Sequence, residues 1–534
     1  MHYHNPVIGG FYPDPSVTKA NGVYYLACSS FRYFPAVPLF ESDDLINWRQ
    51  IGHALTRTSQ IDLSYDFNRP GIFAPTLRYH DGRFYLVTTD VGGRWNFLVW
   101  TDDIHGEWSD PIPIDQGGID PSLLFDEDHT YFMSNGVADD GRKGIALCEI
   151  DIETGEKLTP SRTIWTGTGG RFLEGPHLYR IGDRYYLLAA EGGTEYGHMI
   201  TYARGTSPWG PFETYDGNPV LTNRDLGNSM LQGVGHGDLI DDDHGNWWML
   251  HLGFRQQGTM APYHHIGRET LLTPVTFDDA GWFTAGDPDH PGTASLDVDT
   301  DRIDDGVTQR PLDTMTFDNT EPGVDWCTLR KPLPDRIRFG RISGHGDENE
   351  PGVTVTMTGT SVTLDTPGAP TFLAMRQRDL CADIVCTVEV TDGEAGLTVF
   401  MDDEHHYDLA VQRLTDGYRL IKRVCVGDLK VIDQMVRLTD DAGHLNTDHL
   451  SGETDPYRVT LRIEAQPDAY RFSAETDDGA RIDLGRNRTK YLSSEVTGGC
   501  FGVMIGPYAQ TCGDRASAAV TAPARFTDFA CRYR

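Results

Sequence analysis

Basic residues are scarce in this chain: 45 Lys and Arg stand against 79 Asp and Glu, a formal net charge of −34. That deficit argues against nucleic acid or an anionic membrane surface as partner, while it favours solubility. Long apolar runs are missing too, with no stretch approaching the ~18 residues of a membrane span. The start, Met1-His2-Tyr3-His4-Asn5-Pro6, carries neither the basic nor the apolar region of a secretory signal. The expectation is a cytoplasmic protein with no nucleic acid and no membrane as partner. Cysteine is sparse and unpatterned: nine thiols, at 28, 148, 327, 381, 386, 425, 500, 512 and 531, are odd in number and lack metal-ligand spacing. They are expected to be free and packed as small hydrophobes.

What the chain does have is one phrase stated five times. Asp14-Pro15-Ser16 leads to Tyr24-Tyr25, Ala74-Pro75-Thr76 to Phe84-Tyr85, Asp120-Pro121-Ser122 to Tyr131-Phe132, Gly175-Pro176-His177 to Tyr185-Tyr186, and His236-Gly237-Asp238 to Trp247-Trp248. The offset from leading residue to first aromatic is 10, 10, 11, 10 and 11. Each copy reads as a β-hairpin, reversed in the first two by Asn21-Gly22 and Asp81-Gly82. Successive copies are 60, 47, 54 and 62 residues apart, the spacing of four-stranded propeller blades with variable loops. Trp48, Trp108 and Trp209, each 23 residues after an aromatic pair, are expected in a late strand of their blades. The prediction is a five-bladed β-propeller.

At 534 residues the chain exceeds the ~250–300 at which single cores stop growing, so two domains are expected, 1–300 and 301–534. The stretch from Gly286 to Gly292 and the acidic run through Asp304-Asp305-Gly306 lack hydrophobic periodicity and read as the linker. From about Leu312 alternating segments such as 353–358, 384–390, 418–424 and 457–463 are separated by turns, without helical patterning. They predict a β-sandwich. His405-His406 there would point to opposite faces of a strand and so would not chelate together.

A propeller places equivalent positions of every blade at one radius and height. The leading residues Asp14, Ala74, Asp120, Gly175 (with Glu174 just before it) and His236 should therefore converge on the axis. Three carboxylates in one pocket suit glycoside hydrolysis, which needs an acid for the leaving oxygen and a second carboxylate for water or the anomeric carbon. Phe172 and Leu173, flanking Glu174, are expected to desolvate it and raise its pKa. The plainer alternative is that Asp-Pro-Ser caps a turn by side-chain to backbone bonding. It accounts for one copy more readily than for three carboxylates at equivalent positions.

These residues resemble glycoside hydrolase family 43. The resemblance is carried in order by Gly10-Phe11-Tyr12-Pro13-Asp14-Pro15-Ser16, Ser29-Ser30-Phe31, Gly71-Ile72-Phe73-Ala74-Pro75, Ile119-Asp120-Pro121-Ser122, Glu174-Gly175-Pro176-His177, Gly235-His236-Gly237-Asp238 and Gly267-Arg268-Glu269-Thr270. Trp326 with Leu329-Arg330, and Phe372 to Arg378, extend it into the second half, toward the two-domain β-xylosidases. The resemblance implies a propeller followed by a lectin-like sandwich (jelly roll), and inversion of configuration. It implies Asp14 as general base, Glu174 as general acid and Asp120 as the carboxylate that orients the acid and adjusts its pKa. By the same resemblance Arg268 contacts sugar hydroxyls, Phe31 and Phe73 wall the subsite, and His236 lies in an axial channel where the family often holds a calcium ion through waters. No cofactor or metal is assigned to the chemistry. Two departures border the expected sugar pocket: Phe73 stands where the family often has Trp, and Arg32 where an acidic residue is frequent.

The reading is an inverting exo-glycosidase releasing terminal D-xylose from β-1,4-xylo-oligosaccharides. The alternative is an α-L-arabinofuranosidase, alone or as a second activity on arabinoxylo-oligosaccharides. A non-catalytic carbohydrate-binding propeller is the alternative from another class, and three axial carboxylates facing a neutral sugar argue against it. The second domain has three candidate roles: a carbohydrate-binding module, the contact of a homo-oligomer, or a lid on the pocket. The resemblance suggests Gly498 to Tyr508, with Phe501, as the closing loop.

Overall fold

The computed structural model describes residues 2–64, 70–287, 290–303, 306–341, 352–415, 417–438, 456–512 and 520–534. It divides into two units, Met1–Met260 with Arg268–Arg310, and Ala261–Gly267 with Pro311–Arg534. The nine cysteines are free, six of them buried.

The first unit is a five-bladed propeller. Its blades begin with the inner strands Ser16–Ala20, Thr76–His80, Ile119–Asp126, Glu174–Ile181 and Leu231–Asp241. Each continues outward through three further antiparallel strands in chain order. The inner strands touch in the sequence first, second, third, fourth, fifth and back to first, which closes the ring. Between inner and second strand, Asn21-Gly22 and Asp81-Gly82 both hold positive φ, at 51° and 83° and at 49° and 85°. Left-handed values at both central residues define the type I′ turn that matches strand twist.

The aromatic pairs bind blade to blade. Tyr25 meets Phe84 at 5.2 Å between ring centroids, Tyr85 meets Phe125 at 5.1 Å, Tyr131 meets Trp209 at 5.9 Å and Tyr186 meets Phe277 at 5.7 Å. Trp248 packs in one cluster with Tyr24, joining fifth blade to first. Such large buried rings dominate packing energetics. Trp48, Trp108 and Trp209 are not in strands. They lie in the loops just before the outer strands Arg49–Leu55, Ile112–Pro113 and Glu213–Thr214, because a turn, Asp-rich before Trp48 and Trp108 and Ser-Pro before Trp209, intervenes between third and outer strand.

The expected linker is also corrected where it is described. Phe283–Asp287 is the outer strand of the fifth blade, His290–Pro291 pairs with it, and Asp297–Asp299 pairs with His2–His4. Val298 is buried, which a free linker would not be. Pro288, Asp289, Asp304 and Asp305 of that stretch lie outside the described residues. The N-terminal segment runs beside the third strand of the last blade, Glu269–Phe277. Ile8 exchanges backbone hydrogen bonds with Thr270, and Asn5 Nδ2 donates to the Leu272 carbonyl at 2.9 Å.

The second unit is a β-sandwich of two antiparallel sheets. One contains Val353–Met357, Ala382–Val390, Tyr457–Gln466 and Ala524–Tyr533; the other contains Glu394–Asp402, His405–Leu414, Gly417–Val426 and Met504–Gln510. Their facing sides form one core of aliphatic residues, among them Ile384, Leu397, Leu409, Leu461 and Ile505. His405 and His406 bond separate carboxylates, Asp402 at 2.8 Å and Asp408 at 2.9 Å. Met504–Gln510 is a fully buried strand paired along Glu394–Asp402, so the expected loop from Gly498 becomes sheet at Met504.

Candidate active site

Four of the five leading residues share a backbone signature. Asp14, Asp120, Gly175 and His236 have φ of 57°, 53°, 56° and 45°. Left-handed backbone is costly for residues with a Cβ and concentrates at functional positions. Here it kinks each inner strand just where its side chain meets the axis, and the pairing register shifts at Ile119/Ser122, Glu174/His177 and Gly235/Gly237. Ala74 lacks the kink, and the second blade contributes no carboxylate.

Asp14 is buried, and its Oδ1 accepts a hydrogen bond from Arg268 Nη1 at 2.8 Å while Ser29 Oγ donates to Oδ2. His236 Nδ1 lies 3.8 Å from the same Oδ1. Burial alone would raise the Asp14 pKa, but Arg268, His236, the Ser29 hydrogen bond and His198 together hold it below the usual carboxylate range. Glu174 behaves oppositely: burial, and then the charge of Asp14, push it up to about 7 against weaker pulls from Arg268 and Lys143. Phe172 is not a cause, since it is 55% exposed and its ring lies under the Arg171 guanidinium at 4.6 Å. Leu173 is partly buried and packs into the blade core.

Asp120 is raised by burial, opposed by His236 and reinforced by the charges of Glu174 and Asp14. Its Oδ2 accepts the Gly175 N–H at 3.0 Å, a bond that favours the ionised form. Asp120 and Glu174 are both pushed up to about 7 and titrate as a pair, so near neutrality the two carboxyls hold a proton between them. The site thus holds one carboxylate, Asp14, ready to accept a proton and a carboxyl pair, Glu174 and Asp120, able to give one, the separation of environments that acid–base chemistry needs.

The remaining predicted residues join the same cluster. The Arg268 guanidinium stands 5.4 Å from the Phe31 ring centroid, and Phe31 meets Phe73 at 5.2 Å with planes tilted 55°. The backbones of Phe31 and Ile72 are hydrogen-bonded to each other at 2.8 and 3.0 Å. Gly71, at φ 96°, allows this approach: a Cβ there would fall 2.2 Å from the Phe31 carbonyl oxygen. The His236 ring fills the space over Gly175, where a Cβ would come within 2.9 Å of it.

The chain matches the model of glycosyl hydrolases family 43 over residues 3–283, and that of the β-xylosidase C-terminal concanavalin A-like domain over 314–531. It belongs to glycosyl hydrolase family 43. As a glycoside hydrolase of that family, it is 35% identical to a non-reducing end α-L-arabinofuranosidase of Bacteroides ovatus, over 99% of this chain and 95% of that protein. It is 30% identical to a β-xylosidase of Bacillus subtilis over 96% of each. Among solved structures, the xylan β-1,4-xylosidase of Bacillus halodurans superposes with a TM-score of 0.85 at 30% identity, covering 99% of both chains.

Sequence reasoning missed what lies two residues further along the inner strands of this family 43 propeller. The third residue of every copy, Ser16, Thr76, Ser122, His177 and Asp238, is polar and buried. Three of them, Ser16, His177 and Asp238, bond the guanidinium of Arg78, whose Nη1 donates to Asp238 Oδ2 at 2.8 Å and Nη2 to Oδ1 at 3.1 Å. Tyr179 and Ser16 also donate to Asp238, and His177 bonds Arg78 at 3.0 Å and Ser122 at 3.2 Å. Burial would raise Asp238, but Arg78 and the other donors hold it far below the usual range. The uniform polarity of the third position was the available signal.

This hub bears on the calcium expectation. Among the described residues, no group of three ligand atoms gathers at His236; the one such group lies on the surface, at His2, His4 and Asp297. The His236 ring centroid is 6.3 Å from that of His177, which is itself bonded to the Arg78 guanidinium at 3.0 Å. An ion held through waters, as the resemblance implies, needs no such group of direct ligands, and no step below is routed through one.

Proposed function

We propose that this hydrolase is an inverting exo-glycosidase that releases terminal D-xylose from β-1,4-xylo-oligosaccharides. The observation that carries the reading is the opposed pair: Asp14 held ionised by Arg268 and Ser29, and Glu174 pushed up to about 7 within the same cluster. Asp14 takes a proton from the water that attacks the anomeric carbon. Glu174 gives its proton to the glycosidic oxygen as the bond breaks, and Asp120 holds the backbone at Gly175, next to the acid. Arg268 does double duty: it keeps Asp14 ionised and offers donors toward sugar hydroxyls beside the Phe31 and Phe73 rings. The names of the Bacillus subtilis and Bacillus halodurans relatives support xylose as the sugar.

A second reading, α-L-arabinofuranoside hydrolysis, is favoured by the Bacteroides ovatus relative, which is more similar in sequence over nearly the whole chain. Both sugars are pentoses and use the same acid and base. Parallel turnover of p-nitrophenyl β-D-xylopyranoside and p-nitrophenyl α-L-arabinofuranoside by the wild type and by Glu174→Gln tests both. Dominant xyloside turnover that collapses in the variant supports the first reading. Dominant arabinofuranoside turnover with the same collapse supports the second, and no turnover of either by the wild type would sink both. NMR of the first-formed anomer tests inversion.

A further inference from the structure

The strand His2–His4 pairs antiparallel with Asp297–Asp299, with His2 opposite Asp299, Tyr3 opposite Val298 and His4 opposite Asp297. Strand alternation buries Tyr3 and Val298 and turns the other four side chains outward on one face. The backbone of His4 is pinned on its far edge by Gln309, whose side-chain oxygen accepts the His4 N–H and whose amide donates to the His4 carbonyl, both at 2.8 Å. The imidazoles are left to face the two carboxylates. His2 Nδ1 is 2.9 Å from Asp299 Oδ1, His2 Nε2 is 3.7 Å from Asp297 Oδ1, and His4 Nδ1 bonds that same oxygen. The two imidazole centroids are 4.5 Å apart, edge to face.

We propose that His2, His4 and Asp297, with Asp299 beside them, form a binding site for a divalent transition-metal ion of the zinc class. One ligand atom from each of the first three already lies within 4.8 Å of the others. Ligands about 2.1 Å from a tetrahedral zinc ion are about 3.4 Å apart, so small rotations of exposed side chains complete the geometry. Two neutral imidazoles with one or two carboxylates are a donor set suited to zinc, nickel or copper rather than to calcium or magnesium, which prefer all-oxygen shells. The strongly acidic surface concentrates cations at such a site. A bound ion would clamp the N-terminal strand to the segment that leaves the fifth blade. That clamp reinforces the hydrogen bonds by which Asn5 and Ile8 hold the last blade. It acts on stability and takes no part in hydrolysis.

The test uses the full-length chain without a histidine tag, freed of metal by a chelator and titrated with zinc chloride by calorimetry and by thermal melting. The wild type is expected to show one saturable site and a melting temperature that rises with zinc. His2→Ala/His4→Ala should bind zinc at least tenfold more weakly and lose the thermal response, while glycoside turnover confirms that it is folded. Asp297→Asn, which keeps both imidazoles and serves if the double variant does not fold, should weaken binding several-fold. Unchanged zinc affinity in these variants, or no saturable binding by the wild type, overturns the proposal.

Discussion

The propeller axis carries two rings of side chains only two residues apart on the same inner strands, and they are built on opposite electrostatic plans. In the hub, the Asp238 carboxylate meets the Arg78 guanidinium through two hydrogen bonds, with Tyr179 and Ser16 also donating to it. Every charge there is answered. In the pocket, the Arg268 guanidinium is bonded to Asp14 and draws on Glu174, while Asp120 faces His236 and the charges of Glu174 and Asp14. Burial pushes Glu174 and Asp120 upward, and the negative charge left over adds to that push. The same strand geometry thus yields a fastener where charge is balanced and proton chemistry where it is not.

The largest effects should separate the rings by kind. Asp14→Asn and Glu174→Gln are each expected to lower kcat by roughly 10²–10⁴, the usual contribution of positioned acid–base groups, with the melting temperature nearly unchanged. Arg78→Met should do the reverse. Leaving Asp238 buried and unpaired costs about 3–5 kcal/mol, read by denaturant unfolding, and Arg78→Met/Asp238→Asn should recover most of it. Equal losses of activity and stability from both rings would erase the distinction.

The pH profile sharpens the comparison further. Glu174 must be protonated to act, and its pKa is raised to about 7, so kcat/KM should be retained below that pH and fall as pH rises through it. Asp14 must be ionised, and its lowered pKa keeps it so down to below the usual carboxylate range near ~3.9. Asp120→Asn removes a charge that repels Glu174, so the alkaline limb should move to lower pH, measured with an aryl xyloside across pH 5–9. The smallest effect belongs outside both rings: Phe172→Ala, at a 55% exposed side chain, should change stability by less than about 0.5 kcal/mol.

The five blades were legible because a hairpin with its aromatic pair recurs at nearly constant offset, and the three carboxylates because they lead those copies. Arg78 was not, since it occurs in one copy only and its partner Asp238 is 160 residues away. Asp297–Asp299 read as linker because three residues show no periodicity; its partner strand, His2–His4, lies almost 300 residues earlier. The desolvating role given to Phe172 failed because its own backbone is left-handed, at φ 54°, which turns the ring out toward Arg171.

The most direct test of the opposed acid and base compares Glu174→Gln on two substrates, xylobiose and 2,4-dinitrophenyl β-D-xylopyranoside. The latter's leaving group departs without a proton. The variant should lose nearly all activity on xylobiose yet keep a far larger share on the dinitrophenyl substrate, with Asp14→Asn crippled on both. Equal loss by Glu174→Gln on the two substrates would contradict the assignment of Glu174 as the proton donor.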